Sequence, residues 1–131
     1  MKKILLLTVT LFLTSCTCNE KSTSMAQGDF AHIVFFWLKN PDNQADRKAF
    51  EESLTRFINK SEFIKTMHVG TPAATNREVI DNSYTYCLSL TFENKAMQDK
   101  YQDEPNHKIF IEESSPLWEK VIVYDSENIL K

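Results

Sequence analysis

The stretch Phe30-Ala31-His32-Ile33-Val34-Phe35-Phe36-Trp37-Leu38-Lys39 is too aromatic and β-branched for any element but a strand. Successive side chains of a strand point to opposite faces. One face here carries His32, Val34, Phe36 and Leu38, and the other carries Ile33, Phe35 and Trp37. Both faces are apolar, so both need a cover. Downstream, Asn40-Pro41-Asp42-Asn43 turns the chain and offers a helix cap. From Gln44 to Asn59, Ala45, Ala49, Phe50, Leu54, Phe57 and Ile58 recur at helical spacing among charges. That pattern predicts a surface helix with one buried stripe.

Lys65 to Ala73 reads as a second strand, and a polar connection over 74–83 leads to a third, Tyr84 to Phe92. The third alternates cleanly, with Tyr84, Tyr86, Leu88, Leu90 and Phe92 on one face and Thr85, Cys87, Ser89 and Thr91 on the other. Asn94 caps a short helix carrying Met97 and Tyr101; Pro105 ends it and opens another that runs to Ser114. A last strand, Lys120 to Tyr124, is again apolar on both faces. The order is β-α-β-β-α-β with the second helix broken, which predicts an α+β, ferredoxin-like sandwich. Helices cover one face of such a sheet, and no segment is left to cover the other. A second copy is the simplest cover, so a homodimer formed sheet against sheet is expected.

The amino end reads differently. Lys2 and Lys3 precede an apolar run, Ile4 to Leu13, too short to span a bilayer. The ending Leu13-Thr14-Ser15-Cys16 resembles the lipobox of bacterial lipoproteins, in which cleavage precedes a cysteine that becomes acylated. Residues 1–15 are read as a signal peptide, 16–28 as the lipidated Cys16 with a polar tether, and 29–127 as the folded domain. The expected location is the cell envelope, anchored by lipid to a bacterial membrane and facing the periplasm or the outside.

The formal charge of the 131 residues is −3, and loss of Lys2 and Lys3 makes it more negative. An acidic domain without a basic stripe has no electrostatic reason to bind nucleic acid. Of three cysteines, Cys16 is assigned to lipid; Cys18 and Cys87 either pair or stay apart, and Cys87 on a strand reads best as a small hydrophobe.

Four segments in order, "HIVFFWLK" (32–39), "HVG" (68–70), "YTYCLSLTFEN" (84–94) and "YQDEPNHKIF" (101–110), followed by "PLWEKVIVYD" (116–125), resemble the stress-responsive A/B barrel (Dabb) domain. The resemblance implies a small dimeric α+β barrel whose two sheets face each other. One plant member of that family is an olivetolic acid cyclase, which closes a polyketide by an aldol reaction without a cofactor. Its machinery includes a tyrosine and a histidine spaced as Tyr101 and His107 are here. A pocket histidine of the cyclase aligns with Tyr86, and the histidine that often precedes the family's proline is Glu104, so this chain departs from the pattern twice.

His107 is the first candidate for catalysis. In the opening turn of a helix it meets the positive end of the dipole, which favours a neutral imidazole able to accept a proton. Tyr101 is the candidate donor to a developing oxyanion. The competing reading makes His107 a cap or packing residue and Tyr101 a core ring. Candidates for substrate binding are His32, Val34 and Phe36 from the first strand, Tyr86 and His68. His32 also reads as a satisfied core histidine, and His68 as solvent-facing. The three histidines come from separate elements without metal-ligand spacing, so neither a metal nor a cofactor is expected. Nine phenylalanines favour an apolar or aromatic small-molecule ligand. A pocket of about 300 Å³ or more, reached by both His107 and Tyr101, separates a ligand binder or enzyme from a non-catalytic, stress-associated dimer with a filled core.

Overall fold

In the computed structural model, which describes residues 28–130, the run Phe30–Leu38 forms strand β1 at the middle of a four-stranded antiparallel sheet. The other elements are α1 (Gln44–Ile58), β2 (Thr66–Gly70), β3 (Tyr86–Phe92), α2 (Lys95–Asp103), α3 (Pro105–Ser114) and β4 (Trp118–Glu127). A short 3₁₀ turn, Ser115–Leu117, joins α3 to β4. The strands lie in the order β2-β3-β1-β4, so the fold is ferredoxin-like. The proposed signal peptide, Cys16 and Cys18 lie outside the described residues. None of the described helices is long and apolar enough to cross a membrane.

The alternation of β1 decides which face is which. Phe30, His32, Val34, Phe36 and Leu38 are buried, while the residues between them are half-buried. β3 repeats the pattern with Tyr86, Leu88, Leu90 and Phe92 inside. α1 supplies Phe50, Leu54, Phe57 and Ile58 against that face, and α3 supplies Phe110. Phe57 and Phe110 stack with centroids 5.1 Å apart, and Phe50 stacks on Tyr86 at 4.8 Å. Ala45 and Ala49 are exposed, so the buried stripe of α1 is narrower than its spacing predicts. Ser53 takes a place in it instead, its hydroxyl donating to Glu113.

Local chemistry sets the helix starts. Asn43 accepts from the amides of Ala45 and Asp46, and Asn94 accepts from that of Met97. β4 runs longer than its apolar stretch predicts because Asp125, Ser126 and Glu127 pair with His32, Ala31 and Phe30 of β1. β2 and β3 are shorter than expected: residues 71–85 leave the sheet between them.

The helices cover the centre of the sheet and leave its margins open. On the helix side, Met67 and Val69 of β2 and Val121 and Val123 of β4 remain exposed. The opposite face presents Ile33, Phe35, Trp37, Ile122 and Tyr124, with Phe35 in contact with both Tyr84 (4.9 Å) and Tyr124 (6.2 Å). Cys87 is on this face, half-buried rather than in the core, and burial pushes its thiol up.

Leu90 is fully buried in β3. Leu90→Ala is expected to cost about 2–5 kcal/mol of unfolding free energy, and loss of the cap in Asn43→Ala about 1 kcal/mol. Urea denaturation checks both; equal effects would contradict this placement of the core.

Candidate functional site

Glu104, between α2 and α3, has ψ 135°, outside helical geometry, as the residue before a proline prefers. Tyr101 lies in the last turn of α2 and His107 in the first turn of α3. The break brings their ring centroids to 4.9 Å. In a straight helix six residues turn through about 600°, so the two rings would leave from different faces. Tyr101 is only 1 % exposed, packed against Phe92 (4.8 Å), Phe57 (5.4 Å) and His32 (5.8 Å).

Three polar rings therefore meet: His32 from β1, Tyr101 from α2 and His107 from α3. All three line one hollow of about 150 Å³ between sheet and helices, together with Val34, Phe36 and Leu88 on its floor. Its rim includes Ile111 of α3 and Val121 and Val123 of β4, which are exposed, so the hollow opens to solvent at that edge. The volume is about half of the 300 Å³ expected for a ligand of ordinary drug size. It matches the space that holds a single six-membered ring.

The hydrogen bonds fix how each ring can act. His107 Nδ1 lies 3.2 Å from the Gln102 carbonyl, an acceptor, so Nδ1 carries the proton and donates it. That leaves Nε2 of the neutral ring as the basic nitrogen. Burial holds the His107 imidazole below the ordinary histidine range, with the Gln102 carbonyl pulling the other way. Desolvation is the largest cause of that lowering. Burial, aided by the charges of Glu104 and Asp125, pushes the Tyr101 phenol well above its usual value. Tyr101 is thus a protonated phenol at neutral pH.

His32 donates from Nδ1 to Asp125 Oδ1 at 2.6 Å. The two are direct cross-strand partners in the β1–β4 register. Asp125 was not among the residues singled out from the sequence. It lies 93 residues from His32, and only the strand register joins them. A signal did exist: an acidic residue two positions past Val123, on the face that carries Val121 and Val123.

Of the other candidates, Val34 and Phe36 line the hollow, whereas Tyr86 and His68 do not. Tyr86 is on the correct face, but its hydroxyl donates to Glu51 of α1, and Arg47 lies 4.9 Å over its ring. It seals the core beyond the hollow. His68 pairs with Ser89 across β2 and β3, on the sheet face away from the helices, where it is exposed and its ring covers Gly70. The three histidines do not converge, and among the described residues no group of three or more metal-ligating side chains is arranged to hold an ion.

Several solved structures share this fold. A Dabb-family protein with a ferredoxin-like fold from Mesorhizobium loti is 23% identical over 79% of this chain and 99% of its own, with a TM-score of 0.65. An Arabidopsis thaliana protein is 22% identical over 78% of this chain and 97% of its own, with a TM-score of 0.64. A hydroxynitrile lyase from Passiflora edulis is 21% identical over 81% of this chain and 98% of its own, with a TM-score of 0.67. No curated protein matches the sequence. The family model of the stress responsive A/B barrel domain matches residues 30–128. The chain belongs to the stress-responsive A/B barrel (Dabb) family.

Proposed function

We propose that this protein binds a small, largely apolar or aromatic organic molecule in the hollow under β1 and moves a proton on it without a cofactor. His107 acts as base and Tyr101 as hydrogen-bond donor. The observation that supports this reading is the meeting of a neutral imidazole, a protonated phenol and a carboxylate-oriented histidine on one apolar hollow. In the step, His107 Nε2 removes a proton from a carbon next to a carbonyl. The electron pair moves onto the carbonyl oxygen, where the Tyr101 hydroxyl stabilises the negative charge. The imidazolium then returns its proton to another atom of the same molecule, giving isomerisation or ring closure with no net change in protons. A hydroxynitrile lyase among the proteins of this fold supports small-molecule chemistry on such a scaffold.

The hollow's modest volume favours a second reading as well: a non-catalytic, stress-associated binding or structural dimer whose core is filled by its own side chains. Turnover separates the two.

We also propose that the outer sheet face is covered by a second copy. Its apolar and aromatic side chains from β1 and β4 form one continuous patch, and structures of the same fold include dimeric proteins from Thermobifida fusca and Bacteroides fragilis. The lipobox ending at Cys16 supports an anchor in the cell envelope.

Native mass spectrometry of the purified protein is expected to show a dimer with a retained small molecule. His107→Ala and Tyr101→Phe are each expected to slow turnover of that molecule by about 10²-fold or more; unaltered rates in both variants exclude the pair. The rate should rise with pH through a midpoint below the ordinary histidine value of about 6.5 and then level off, because protonated His107 is inactive. No alkaline limb due to Tyr101 is expected up to about pH 10. Ile33→Glu on the outer face is expected to yield monomers by light scattering, and a monomeric wild type contradicts the dimer. Fatty-acid labelling in a bacterial host should be lost in Cys16→Ser; persistence would place the lipid elsewhere.

A further inference from the structure

Glu104 is the break itself. Its backbone amide donates to the Tyr101 carbonyl at 3.1 Å, and its carbonyl accepts from the His107 amide at 3.0 Å. The side chain is buried, 8 % exposed. Oε1 accepts from the Glu62 amide at 2.8 Å, which ties the break to the segment following α1. Oε2 is buried and has no hydrogen-bond partner among the described residues.

Accepting one amide proton needs only one neutral oxygen, which a glutamine would supply. A buried carboxylate costs more, because its charge is withdrawn from water and half of its acceptor capacity goes unused. The charge therefore calls for a role of its own, and the two rings it separates in the chain supply one.

We propose that Glu104 is a positioning residue for the Tyr101–His107 pair: it pins the helix break to Glu62 and adds its negative charge to the surroundings of both rings. Its negative charge favours imidazolium at His107, opposing the effect of burial, and disfavours phenolate at Tyr101. The remaining groups that act on His107 are the Gln102 carbonyl from α2, His32 from β1 and Lys108 on its own helix. On Tyr101 the other charge is Asp125 of β4, which acts in the same sense as Glu104. Glu104 alone bears on both rings from the break between them. Burial and a second imidazole both weaken His107 as a base, and a carboxylate at this position offsets part of that loss.

The inference rests on the reading of Tyr101 and His107 as a working pair, yet its test needs neither ligand nor turnover. With only three histidines in the chain, each ring can be followed by NMR across a pH titration. Glu104→Gln keeps the shape and the acceptor for the Glu62 amide while removing the charge. The His107 midpoint is expected to move to lower pH, and that of His68, on the far side of the sheet, to stay. An unmoved His107, or an equal displacement of His68, overturns the proposal. Glu104→Asp keeps the charge and shortens the reach; its His107 midpoint should remain near that of the wild type, and a fall as large as in the glutamine variant overturns the proposal too. Failure of this titration removes the role of Glu104 and leaves the pair, whereas unaltered turnover in the His107 and Tyr101 variants removes the pair and leaves the titration intact.

Discussion

A residue that precedes proline is driven out of helical geometry, and everything chemical about this structure depends on that constraint acting at Glu104. Without it, residues 95–114 would form one helix and its two polar rings would point in different directions. With it, the chain turns once, Tyr101 is carried into the core and His107 follows to within ring contact. The proline costs nothing in hydrogen bonding, because the first turn of a helix has no use for its missing amide proton. The break is thus a stable feature of the fold rather than a defect in it.

The second requirement is an opening for the rings to face. The three helices do not cover the whole of the four-stranded sheet, and of its two uncovered margins the one that borders the hollow falls along β4. There the inner-facing residues Val121 and Val123 meet solvent while their neighbours on β1 are buried. A buried polar group that reaches such a margin needs a partner. His32 finds one in Asp125, directly across the strand pair, and Asp125 stands at the half-exposed end of that pair. Edge position, apolar floor and paired histidine are consequences of the same topology.

Much of this was legible in the sequence. The two-sided apolarity of Phe30–Leu38 and the strict alternation of Leu88, Leu90 and Phe92 are dictated by the strand period, which leaves little choice of face. Pro105 announced the break because its chemistry is local. What escaped was whatever depends on distance along or across the sheet. Tyr86 has the right phase but lies one residue pair too far along β3, where α1 rather than the hollow meets its hydroxyl. His68 is out of phase with Met67 and Val69, yet those two are themselves exposed, so hydropathy alone could not say which side of β2 faced the helices. Asp125 required the β1–β4 register. Ser53, a polar residue in a buried stripe, required knowing that Glu113 would reach it from α3. Sequence patterns report period and local geometry; they are silent on which residues become neighbours across a layer.

The convergence of Tyr101, His107 and His32 is the claim from which the rest follows. The aromatic region of a NOESY spectrum measures it directly, since ring protons exchange magnetisation only when a few ångströms apart. Cross-peaks are expected from Tyr101 to both His107 and His32, whose ring centroids lie 4.9 Å and 5.8 Å away. A spectrum in which Tyr101 reports Phe57 and Phe92 but neither histidine would contradict the account.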